Sequence, residues 1–249
     1  MIEPQVKLAA RLWTKVGLNV LDEFESKNWK LSFQDITDTF NEAFWCYDIR
    51  FFFSESPADD GLRRYVEGGL FHYDGLIEVF LTQKFYTFLQ KLRFKKDYMA
   101  RWINFGKNLF LEEYLEVVSH ELLHRKQWEL GMRHGVETAS NGEESIEHFS
   151  DYTEIQAHAQ DTALNILINR SLMSQYYYIG CYNDLFGNDS PIYKTFMKNL
   201  QRFLGMMIKD QIHLLFQEST PLHKTSQNNI ISSFYQLDHQ NIYTCLQCQ

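Results

Sequence analysis

His120-Glu121-Leu122-Leu123-His124 constrains this chain more than any other stretch. It lies in a run with helical periodicity, because Leu115, Val118 and Leu122 recur at i, i+3 and i+7 as an apolar stripe. Residues four apart on a helix share a face, so two imidazoles at this spacing can reach one metal ion. The glutamate between them can hold a water beside that ion. At about 100° per residue the two histidines fall roughly opposite the stripe. The spacing therefore predicts a helix from about Phe110 to Leu130 with one side on a core and the other on a cleft.

A metal site needs a third protein ligand. The compact form, with glycine and a third histidine further along the same helix, is absent, since Gln127 and Leu130 occupy those positions. The third donor must come from another element. Ser150 and Asp151 are both good N-caps, and the run beyond them has no Pro or Gly up to Arg170. On that helix Glu154, His158, Asp161 and Asn165 fall in one narrow stripe. Ile155, Ala157, Ala159, Ala163, Leu164, Ile166 and Leu167 cover most of the remaining circumference. Such a helix is expected to be largely buried, and its polar stripe then needs partners. An accidental five-letter match would instead be a solvated helix face. His134 and His148, between the two helices, are alternative third ligands. Glu154 is preferred because it comes with a buried helix and with Ala157, whose small side chain lets helices approach.

This pair of motifs resembles the zinc metallopeptidases of gluzincin type, in the manner of the ImmA/IrrE-like peptidases and the CAAX prenyl protease group. Small phage-encoded proteins are similar. The resemblance covers about residues 65 to 170. It implies that His120, His124 and Glu154 are zinc ligands and that Glu121 is the general base. His158 stands where those families usually carry Asp or Asn. The resemblance leaves open whether His158 orients a ligand, donates to an oxyanion as a catalytic group, or competes with Glu154. It also implies a zincin-like domain, zinc-dependent hydrolysis of a peptide or protein substrate, and a strand ahead of the site helix along which that substrate lies. The alternative is a zinc-binding protein of the same fold that acts by binding, as a regulator or a part of an assembly.

The rest of the chain predicts an α+β fold, mostly helical, with a small sheet beside the two metal-bearing helices. Helices are expected over 5–30 and 33–45, a strand over 47–54 and a loop over 56–61. Arg64 to Thr82 reads as a β-hairpin turning at Tyr73-Asp74-Gly75. Lys84 to Phe105 reads as a separate, basic linker helix, and 131–149 as a loop. Tyr176, Tyr177, Tyr178, Tyr182 and Tyr193 follow in a helical segment broken near Pro191, and any of them could serve an oxyanion. An amphipathic helix is expected from Ile192 to Phe216. Trp13, Trp29, Phe40, Phe44 and Trp45 are assigned to the core. Residues 1–217 are read as the domain and 218–249 as a polar tail that ends with Cys245 and Cys248.

Hydrophobic residues make up 45% of the 249, enough for a substantial core. A net charge of −8 argues against a nucleic-acid partner. No apolar run approaches the roughly 20 residues that span a bilayer, so no membrane partner is expected. Four cysteines in a chain this long suit a reducing compartment. With no secretory pattern at Met1 to Ala10, the expectation is a cytoplasmic protein.

Overall fold

The structure is a computed structural model that describes residues 3–26, 32–54, 65–92, 100–132, 146–168 and 172–210. His134, Trp29, the 56–61 loop, the basic side chains of Arg93, Lys95 and Lys96, and the 218–249 tail lie outside the described residues. Nine α-helices and three strands are described. In chain order they are α1 (Val6–Leu12), α2 (Leu18–Ser26), α3 (Phe33–Phe44), β1 (Ile49–Phe53), β2 (Val66–Phe71), β3 (Ile77–Leu81), α4 (Gln83–Leu92), α5 (Ala100–Glu129), α6 (Ile146–Ser150), α7 (Tyr152–Leu167), α8 (Leu172–Phe186) and α9 (Pro191–Lys209). A single π-helical stretch, Trp13–Gly17, joins α1 to α2. The fold is thus mostly helical α+β with one small sheet. Among the described residues no helix is long and apolar enough to cross a membrane.

Local chemistry sets the element ends. α3 opens on a capping box: Ser32 Oγ accepts from the Asp35 N–H, and the Asp35 carboxylate accepts from the Ser32 N–H. The hairpin turns at Gly75, whose φ of 98° favours a residue without a side chain. Asp74 Oδ1 accepts the Leu76 N–H at 3.0 Å and closes the turn.

The strand order is β1-β3-β2. β3 is central, with Ile77, Val79 and Leu81 fully buried. β2 runs antiparallel to it and forms one edge, with a register shift between Val66 and Gly68. β1 runs parallel to β3 at the other edge. One core lies between the sheet and α3, α4 and α5, where Phe85 stacks on Phe110 at 4.1 Å and Phe40 meets Phe51 at 4.6 Å. Trp13 closes it from the π turn, 4.9 Å from the Tyr114 ring.

Three expectations need correction. Trp45 is not core: it is 69% exposed, one residue beyond α3, where its ring lies under the Arg50 guanidinium. Phe44 takes the inward position instead. The site helix does not begin near Phe110, because α5 runs unbroken for 30 residues from Ala100 and absorbs the end of the expected linker helix. The segment before the second motif is not all loop, since α6 occupies Ile146–Ser150.

The site helix itself is packed on several sides. From Phe110 to Gln127, α5 is buried on most of its circumference: Leu115, Val118 and Leu122 on one side, and Ser119, Leu123 and His124 on others. It lies between the sheet and α7, and the face that carries His120 and Glu121 lines a cleft, as the spacing predicts.

Candidate metal centre

α5 and α7 meet along a polar seam. Every residue of α7 from Thr153 to Leu167 is buried, so its polar side chains must find partners inside the protein. Gln127 Nε2 donates to the Thr153 carbonyl and to Gln156 Oε1 at 3.0 and 3.1 Å. Gln160 Nε2 donates to the Ser119 carbonyl at 3.0 Å, and Asn165 Nδ2 to Glu116 Oε1 at 3.0 Å. Asp151 caps α7 by accepting the Thr153 N–H at 2.7 Å. These bonds hold the second motif against the first.

The seam brings together His120, His124 and Glu154. The two Nε2 atoms are 2.9 Å apart, and Glu154 Oε2 is 3.7 Å from that of His120 and 3.4 Å from that of His124. The other nitrogen of each ring is already engaged. His120 Nδ1 meets Asp161 Oδ2 at 2.7 Å, and His124 Nδ1 meets Gln127 Oε1 at 2.8 Å. A carboxylate and an amide oxygen can only accept, so both rings carry their hydrogen on Nδ1. Each ring then offers its Nε2 to the other, and a shared proton or a metal ion can lie between them.

A proton can bridge the two rings, but Glu154 Oε2 at 3.4 and 3.7 Å is too far to share in that hydrogen bond. A metal ion fits all three donors at once. Tetrahedral zinc with ligands at about 2.0–2.1 Å spaces its donors by roughly 3.3–3.4 Å, in the middle of the observed range. The outer partners Asp161 and Gln127 also match the way metal-bound imidazoles are held from behind.

Without an ion, burial opposes protonation of His120, but the neighbouring Asp161 carboxylate outweighs it and holds the pKa well above 6.5. Burial pushes Asp161 up to about 6, against the pull of His120. His158 is held well below 6.5, first by burial and then by the charge of His120, so its ring is neutral at pH 7.

The group that holds His120 is thus Asp161, not His158. The sequence had placed Asp161 on the right stripe, seven residues after Glu154, without giving it this role. His158 Nδ1 meets the Tyr182 hydroxyl at 3.0 Å, and its ring stacks on Tyr178 at 4.1 Å. Gln127, noted only as a departure from glycine, orients His124. His148 lies on α6 with Nε2 3.7 Å from Glu154 Oε2.

A cleft of about 230 Å³ opens on this centre. It is lined by Glu67, Gly68 and Gly69 of β2, by Glu116, Val117, His120 and Glu121 of α5, and by His148, His158, Asp161 and Tyr178. Among the described residues four carboxylates and no Lys or Arg line it. Glu113 accepts the Tyr65 and Val66 N–H groups and pins the start of β2 to α5. Along α5, Val117 and Glu121 lie one and two turns further on, so the strand passes directly over them. A Cβ on Gly69 would lie 2.8 Å from both Glu121 Cγ and Val117 Cγ1, closer than real contacts allow.

Replacing Asp161 with Asn should weaken metal affinity by about 10–100-fold, the usual cost of losing an outer partner of a ligating histidine. Competition with a chromophoric chelator measures it. Parental affinity in that variant would remove Asp161 from this role.

No protein-family model, no curated protein and no solved structure matches the chain.

Proposed function

We propose that this chain is a zinc-dependent peptidase with a zincin-like domain, in which His120, His124 and Glu154 hold the ion. The observation that carries the reading is the neighbour of the donor set. Glu121 follows a candidate ligand directly, is 7% exposed, and lines the same cleft. A zinc ion held there supplies Lewis acidity: it acidifies water and draws charge from a scissile carbonyl. Glu121 accepts the proton of the attacking water and later delivers it to the leaving amine. β2 is a sheet edge whose residues Glu67, Gly68 and Gly69 line the cleft, so its backbone groups are suited to pair with an extended peptide. Among the described tyrosines, Tyr178 is the one in the cleft lining, which makes it the preferred donor to a developing oxyanion.

The test is turnover of a quenched-fluorescent peptide library by the full chain, lost on chelation and restored by zinc. No turnover by a protein that holds its ion would overturn the peptidase and leave a zinc-binding protein that acts by binding.

Gly69→Ala probes the roof of the site. Its Cβ must displace Glu121, Val117 or the strand. Metal content should stay at the parent's level while turnover falls by about 10–10²-fold, because small misplacements of a reacting group carry costs of that size. Unimpaired turnover would mean that β2 yields freely and does not position Glu121.

A further inference from the structure

We propose that the cluster holds a second divalent transition-metal ion, on His148, Glu154 and His158, with Glu154 shared between the two ions. The donor atoms of these three residues all lie within 4.8 Å of one another, as do those of His120, His124 and Glu154. The two sets meet at Glu154, whose Oε2 is 3.7 Å from His148 Nε2 and 3.7 Å from His120 Nε2. A carboxylate offers about four lone-pair sites, enough to bridge two ions. Paired ions about 3.5–4 Å apart are a recurring arrangement in hydrolytic sites.

His158 is oriented as a ligand would be. Its Nδ1 meets the Tyr182 hydroxyl at 3.0 Å, as that of His120 meets Asp161 and that of His124 meets Gln127. The Nε2 is then the atom offered to the cluster in all three rings. The ring is only 1% exposed, stacked at 4.1 Å on Tyr178 and 5.2 Å from the Phe149 ring, which leaves it little freedom to turn. Phe149 adjoins His148 on α6, so one short helix both packs on His158 and carries the third donor.

Charge points the same way. Glu121, Glu154 and Asp161 are all buried, and among the described residues no Lys or Arg lines the cleft. One divalent ion brings two positive charges against the three of these carboxylates, and buried charge is costly. A second cation offsets it. Two imidazoles with one carboxylate suit zinc or cobalt(II) rather than calcium or magnesium.

The proposal shares Glu154 with the first position but does not depend on peptide cleavage. The test counts ions. Full-length protein is stripped with a chelator, titrated with zinc, desalted and measured for metal by mass spectrometry. His148→Ala and His158→Gln should each hold one equivalent fewer than the parent, and Glu154→Ala two fewer. Cobalt(II) gives a second readout: the parent's electron-spin signal should rise through one equivalent and be attenuated by the next as the ions couple, while His148→Ala shows only the rise. His148 lies at the edge of the cluster, so its variant decides the matter if the buried His158→Gln fails to fold. A parental ion count in His148→Ala overturns the proposal, and a second equivalent that survives both histidine variants is an adventitious ion only and overturns it too. If His124→Ala loses no equivalent, the first position fails instead, and with it the peptidase reading.

Discussion

Glu121→Gln is expected to lower peptide cleavage by about 10²–10⁴-fold, the usual contribution of a general base, and to leave zinc content and Tm near the parent's. Gln has the size of Glu and can still hydrogen-bond a water, but it cannot take the proton. Glu121 belongs to neither metal-ligand set, so the donor atoms stay in place when it changes. Its stem packs under Gly69, and the isosteric replacement preserves that contact. Zinc stoichiometry, a melting curve and cleavage of one peptide library by both proteins separate the outcomes. Undiminished cleavage by the Gln variant sinks the mechanism. Loss of zinc from it would make Glu121 a ligand instead of a base.

Glu154→Ala should have the largest effect on the metal centre itself. Losing an outer partner costs about 10–100-fold in affinity, and losing a direct donor should cost more. In this chain the loss is compounded, because Glu154 is the only oxygen donor in both candidate sets. The change should also appear in stability. An ion at 1,000 times its dissociation constant adds about 4.1 kcal/mol to the folded state. Chelation should therefore lower the Tm of the parent and leave that of Glu154→Ala unchanged. A variant that keeps the parent's affinity and its sensitivity to chelation would show that the donor set is wrongly drawn.

Much of the site was legible because it rests on local geometry. A histidine pair four residues apart shares a helix face wherever the helix is placed. The stripe Glu154, His158, Asp161, Asn165 was readable from periodicity, and so was the burial of α7, because so few of its positions could face water. Gly75 and Asp74 announced the hairpin turn in the same way. What misled was equally local. Trp45 continues an aromatic run, yet it falls one residue past the end of α3, where the chain leaves the helix and its side chain turns outward.

Tertiary structure alone decided the rest. Periodicity assigns residues to a face but says nothing about how far one helix is shifted along its neighbour. That offset places Asp161 behind His120 and sends His158 to Tyr182. The approach of β2 to α5 is likewise non-local. It depends on Glu113 holding the Tyr65 and Val66 amides, and it turns Gly69 from an unremarked strand glycine into the residue that lets a backbone lie against Glu121. The parallel pairing of β1 with β3, which leaves β2 at the edge, joins residues 28 apart, Ile49 and Ile77. No window of neighbouring residues contains that information, because it arises only when the side chains of separate elements pack together.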